Sequence, residues 1–168
     1  MPIVAADIQL KLSGGAANAD PNASLGGAVS SVNIADNTLH NLFDRVTGAE
    51  SAAGDIEYRC FFVKNNHATL TLQGAKIYID TNTPSTSTEI QMGVATESGS
   101  PVETIANENT APINPTFSTA AGEVNALTIG NLVPGAVKAI WVKRTVTAGA
   151  LAYSGDNVII KVFGDTDA

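Results

Sequence analysis

Short runs rich in Val, Ile, Thr, Phe and Tyr recur along the chain, and Gly, Pro, Asn or Asp break them every few residues. Such runs fit a pleated, half-buried strand surface, and the breakers supply turns. Helical spacing is read in a single stretch. In Asn37–Val46, the residues Leu39, Leu42, Phe43 and Val46 fall at i, i+3, i+4 and i+7, with Asp36 or Asn37 as cap. One short helix is expected there; an irregular turn whose Leu42 and Phe43 plug the end of a sandwich fits equally. The fold class expected is all-β.

The strongest strand is Asp55–Lys64. Ile56, Tyr58, Cys60 and Phe62 share one face, and Glu57, Arg59 and Phe61 belong to the edges and the other face. Phe61 and Val63 are also apolar, so the second half should be covered on both sides. Further strands are read at 3–12, 68–73, 75–80, 89–95, 126–132, 137–146 and 157–163, with edge strands at 102–105 and 115–118. Asn65-Asn66-His67 reads as a turn, and Gly48–Gly54 as a loop. In Val133-Pro134-Gly135-Ala136, Pro then Gly at the centre suits a type II turn. About eight strands joined by loops short enough for antiparallel pairing make a two-sheet β-sandwich, immunoglobulin-like or jelly-roll. Trp141, Tyr58 and Phe62 are expected at its centre.

Two segments stand apart. Residues 13–36 read SGGAANADPNASLGGAVSSVNIAD, with almost no large side chain, and residues 96–122 are similarly poor in bulk and hold Pro101, Pro112 and Pro115. The first is either a long surface loop or an arm that orders only against a partner.

The 168 residues fit one domain, large enough to bury a core without disulfides or a metal. The net charge of −7 argues against nucleic acid, which needs clustered basic charge. No apolar run approaches a membrane span, and Met1–Leu12 carries Asp7 without a basic region, unlike a secretory signal. Cys60 is the single cysteine and lies on an apolar strand face, where burial makes a thiol inert. His40 and His67 sit in different segments without metal-ligand spacing. Asp156, Asp165 and Asp167 read as solvated acids rather than a calcium loop. Lys138, Lys143 and Arg144 flank Trp141, either as a cationic patch or, preferably, as a wet strand face. No catalytic residue, cofactor or metal is expected.

Four groups of residues carry a resemblance over nearly the whole chain. They are Gly14-Gly15-Ala16 through Asp20-Pro21-Asn22-Ala23-Ser24-Leu25-Gly26-Gly27, then Asn41-Leu42-Phe43-Asp44 with Val46-Thr47-Gly48-Ala49-Glu50, then Glu57-Tyr58-Arg59-Cys60 with Val63-Lys64-Asn65, and finally Ile140–Val146 with Gly164-Asp165-Thr166. In their order and co-occurrence these resemble small virion structural proteins of tailed bacteriophages. The resemblance implies a particle component, not an enzyme. A capsid decoration or cement protein on the head exterior fits best, with the major capsid protein as partner and a homo-oligomer, dimer or trimer, as its form. A tail or baseplate protein is the next reading, and a sugar- or surface-binding module the third. Assembly in the bacterial cytoplasm suits a chain without disulfides. In this reading residues 13–36 bind the partner, with Pro21, Asn22, Leu25 and Gly26 at their centre, because small residues let a backbone lie close on another surface.

Overall fold

The computed structural model describes residues 2–166. The chain is all-β, with strands β1 (Ile8–Leu12), β2 (Gly26–Gly27), β3 (Asp55–Asn65), β4 (Leu72–Thr81), β5 (Thr88–Val94), β6 (Val102–Thr104), β7 (Leu127–Leu132), β8 (Val137–Val146) and β9 (Ile159–Thr166). All strand pairings are antiparallel. A four-stranded sheet runs β1-β3-β8-β5, a three-stranded sheet runs β7-β4-β9, and β2 pairs with β6.

No hairpin joins consecutive strands, contrary to the expectation from short loops. From β3 onward each connection leaves the sheet it started in, so β8 pairs with β3 and β5, and β4 with β7 and β9. The Val133–Ala136 turn forms as expected, with Gly135 at φ 79° and Ala136 N–H donating to Val133 O at 2.9 Å. It carries the chain from one sheet to the other. A type II turn splays the strands it joins, whereas hairpins favour the mirror-image types. Asn65 bolts this corner: its Nδ2 donates to Leu70 O and Leu132 O, each at 2.8 Å, and its Oδ1 accepts from His67 N at 3.0 Å.

The larger sheet is buried on both faces, as the doubly apolar second half of β3 implies. Phe61, Val63, Ile90, Met92, Ile140 and Val142 meet Ala75, Ile77, Ile79, Ile129 and Leu132 of the smaller sheet. Tyr58, Cys60, Phe62, Ala139 and Trp141 lie on the opposite face, so Trp141, Tyr58 and Phe62 are core residues but not at the centre between the sheets. Their cover is Leu25 and Val29 from residues 13–36, with Val102, Ile105 and Phe117 from residues 96–122.

Residues 13–36 thus lie along the chain's own sheet. Ser30 N donates to Leu12 O at 2.8 Å, Ile34 N to Leu10 O at 2.8 Å, and Cys60 N to Ser24 O at 2.8 Å. Gly26 is required there. Its φ is +91°, and a Cβ would stand 1.9 Å from Glu103 O and 3.0 Å from Trp141 Cη2. The close backbone approach expected of this glycine-rich stretch is made to Trp141 and β6.

Several elements settle or differ from the expected readings: no strand forms at 115–118, where Ser118 makes only an isolated bridge to Met92. Of the two readings of residues 37–46 the irregular turn is the one formed, not the helix, with Asn37 and His40 at positive φ (54° and 57°), and Leu42 and Phe43 pack against the inter-sheet core. The helix is α1 (Gly48–Ala53), where a loop was expected. Thr47 Oγ1 accepts from Glu50 N at 3.3 Å while the Glu50 carboxylate accepts from Thr47 N at 2.6 Å, a capping box. Of the strand expected at 68–73 only Leu72 and Gln73 are strand, and they run on through 75–80 as β4, irregular around Gly74, while residues 68–71 are not strand.

Candidate functional site

The chemistry-bearing side chains collect where β3 begins and β8 ends. Glu57 and Arg59 follow the two-residue period of Phe61 and Val63, so they occupy the same face of β3. Arg144 pairs with Glu57 across the strands and continues the face of Ile140 and Val142. Glu57 is 1% exposed and Arg59 0%. Glu57 and Arg59 thus lie on the other face of the strand from Tyr58 and Phe62, as expected, and are buried there, while the wet strand face expected for Arg144 is corrected.

Each buried charge has a partner. Arg144 is ion-paired with Glu57 through Nη2, and its Nη1 donates to Asp44 O at 2.7 Å. Asp44 Oδ1 lies 3.4 Å from Arg144 Nη2. Arg59 is ion-paired with Glu108 through Nη2, with Asn22 Oδ1 at 3.4 Å from the same nitrogen. Both guanidinium groups lie over the Phe43 ring, Arg144 Cζ at 4.8 Å and Arg59 Cζ at 5.5 Å from its centroid. Cations are attracted to the ring face, more so when desolvated. Burial pushes the Glu57 carboxyl above its ordinary value, and the Arg144 charge and hydrogen bond oppose that rise.

The cluster is a latch. It ties residues 36–47, through Phe43 and Asp44, to the sheet. It also ties down residues 105–110, where Tyr58 N donates to Glu108 O at 2.7 Å and Asn109 Nδ2 to Ile56 O at 3.0 Å. β1 covers only residues 61–65 of β3, and Glu108, Asn109 and Ser24 bond the edge beyond it. Asp44, Glu57 and Glu108 each place one carboxylate oxygen within 4.8 Å of the others, a spacing that suits a cation. Two guanidinium groups already stand among those carboxylates and neutralise most of their charge, so the donor set suits arginine better than a metal ion.

The other candidates disperse. Cys60 is fully buried, and desolvation raises its thiol far above the ordinary value. His67 Nδ1 accepts from Thr69 N and Leu70 N at 3.2 and 3.0 Å, closing a turn. Lys138 donates to Glu97 O at 2.7 Å, and Lys143 to Gln91 Oε1 at 3.3 Å, so neither forms a patch with Arg144. Asp156 accepts from Ser85 N at 3.2 Å, Asp165 pairs with Gln73 in the sheet, and Asp167 lies outside the described residues.

Of the four residues expected to bind a partner, Gly26 is buried and Leu25 packs against the Trp141 layer. Asn22 is exposed and Pro21 half-exposed, in a 3-10 turn capped by Asp20, whose Oδ1 accepts from Asn22 N at 2.9 Å. Asn22 also reaches the latch through Arg59. The latch residues escaped sequence reasoning, although the phase of Glu57 and Arg59 with Phe61 and Val63 was a visible sign of their burial.

Two loops carry large exposed apolar side chains, one held by the latch and one following β8. Leu39 is 80% exposed on residues 36–47 and Leu151 is 86% exposed after β8. Gly149 N donates to Ser51 O at 2.8 Å, bringing the segment after β8 to the end where β3 starts. No family model matches the chain, and no curated protein or solved structure is significantly similar to it.

Proposed function

We propose that the protein is a non-enzymatic structural component of a tailed-phage virion: a decoration protein that seats on the outside of the head and bridges copies of the major capsid protein. The resemblance of the four residue groups supports the class of particle. The observation that carries the docking role is the loop end of the sandwich. There Leu39 lies on residues 36–47, which Asp44 fastens to Arg144, the exposed Ile56 lies on β3 beside Glu57, and Leu151 lies on the segment after β8 that is bonded to Ser51.

Large exposed apolar side chains are candidates for an interaction surface, and loops ordered in advance lose less entropy on binding. The Pro21–Asn22 turn joins this face through Asn22 and Arg59, with Leu25 and Gly26 securing it from beneath. Binding only the assembled lattice would stabilise that lattice by linkage. The net charge of −7 keeps such a protein off DNA during assembly.

Adding the purified protein to heads that lack it tests this reading. Leu39→Ser combined with Leu151→Ser should leave thermal unfolding unchanged and weaken binding to the heads by about a hundredfold or more, since burying each leucine is worth about 1.5–3 kcal/mol and about 1.4 kcal/mol is tenfold. Undiminished occupancy would contradict the assignment of this face.

A further inference from the structure

The chain closes most of its sheet edges with its own loops. The outer edge of β1 is bonded by residues 30–34. The outer edge of β5 is bonded by Ser118, which exchanges hydrogen bonds with Met92 at 2.8 and 3.0 Å. The upper part of β4 is bonded by residues 120–122, where Ile79 N donates to Ala120 O at 3.0 Å and Gly122 N to Ile79 O at 2.9 Å. β7 is an edge strand broken from within, because Gly130 at φ +93° disturbs its pairing with β4.

β9 is different. It pairs with β4 on one side, and no other backbone hydrogen bond to it is made among the described residues. The extra residues at both irregularities of the β4–β9 pair belong to β4, so β9 itself stays regular for all of Ile159–Thr166. None of its residues is fully buried. A long, regular, open edge is a template for another strand.

We propose that this edge is an interface between two copies of the chain, β9 pairing antiparallel with the β9 of a second copy about a twofold axis at Phe163. The β9 side chains favour this register. A twofold axis there sets Phe163 opposite Phe163 and Lys161 opposite Asp165, twice by symmetry. Opposite charges and aromatic rings directly across an antiparallel pair are stabilising, and like charges are destabilising. Phe163 already stacks edge-on against Tyr78, with ring centroids 5.8 Å apart, so the two-copy contact would extend an existing aromatic pair. Lys161 Nζ is 2.9 Å from Asp80 Oδ2 and has further N–H groups to offer a second carboxylate. The two three-stranded sheets would become one continuous sheet across the axis. An isologous contact of this kind is self-limiting, which suits a soluble oligomer.

Sedimentation velocity and cysteine crosslinking on the full chain test this inference. The protein should sediment as a dimer. Asp165→Lys should weaken dimerisation about tenfold by setting like charges opposite each other. Adding Lys161→Glu to that variant should restore it. Phe163→Cys should give a disulfide-linked dimer on mild oxidation, because directly opposed residues lie within disulfide reach. Lys161→Cys alone should not, and the buried Cys60 contributes no background. A monomer or trimer, or a dimer indifferent to the charge exchange and uncrosslinked through Phe163→Cys, would overturn the proposal.

Discussion

At the scale of single residues, the clearest lesson concerns charges in phase with a core. Glu57 and Arg59 repeat the spacing of Phe61 and Val63 and are buried with them. Their partners Arg144, Asp44 and Glu108 come from distant segments, and no local pattern announces that meeting. Removing one member of a buried pair leaves the other uncompensated. Arg144→Met should therefore lower stability by about 3–5 kcal/mol at neutral pH. Without Arg144, the Glu57 pKa in the folded protein rises further above its unfolded value. The folded variant then binds a proton more tightly than the unfolded chain, so lowering the pH restores stability. Urea unfolding should show a smaller deficit relative to wild type at pH 5 than at pH 8. A deficit independent of pH would mean that Glu57 carries no uncompensated charge.

Cys60 and the glycines give sharper local tests. The native Cys60 thiol should resist a disulfide reagent at pH 8 and react fully in denaturant; fast native labelling would contradict its burial. Gly26→Ala forces a Cβ into Glu103 O and Trp141 and should cost more than about 2 kcal/mol. Gly48→Ala meets open space at the start of α1 and should be neutral or stabilising by up to about 1 kcal/mol. Equal effects in thermal melts would refute the close approach at Gly26.

At the scale of elements, alternation made the long strands legible. β8 was read with its observed bounds, and β3 and β5 nearly so, because each keeps a two-residue period for most of its length. The apolar spacing of residues 37–46 suggested a helix, yet it serves a plug. The Thr47–Glu50 capping box was the better signal, and it marks α1. Pairing partners were not legible, since β7 and β8 are joined by a short turn and still belong to different sheets. Residues 13–36 lack bulk because they lie flat on Trp141, and that geometry predicts their importance. Deleting residues 14–28 should expose Tyr58, Phe62 and Trp141, shown by binding of a hydrophobic dye and loss of a cooperative melt. A deletion variant that melts cooperatively at the wild-type temperature would show that the face needs no cover.

At the scale of the whole molecule, the structure combines a doubly covered sheet, a buried ionic latch and loops bearing exposed apolar side chains, and the docking role is the proposal built on them. Its virion role rests on the resemblance of four residue groups together with that loop end. Cryo-EM of purified phage particles containing the protein tests this most directly. The account predicts regularly spaced copies across the outer head surface, with the end carrying Leu39 and Leu151 seated on capsid subunits. Density confined to a few copies on the tail, or particles without the protein, would contradict it.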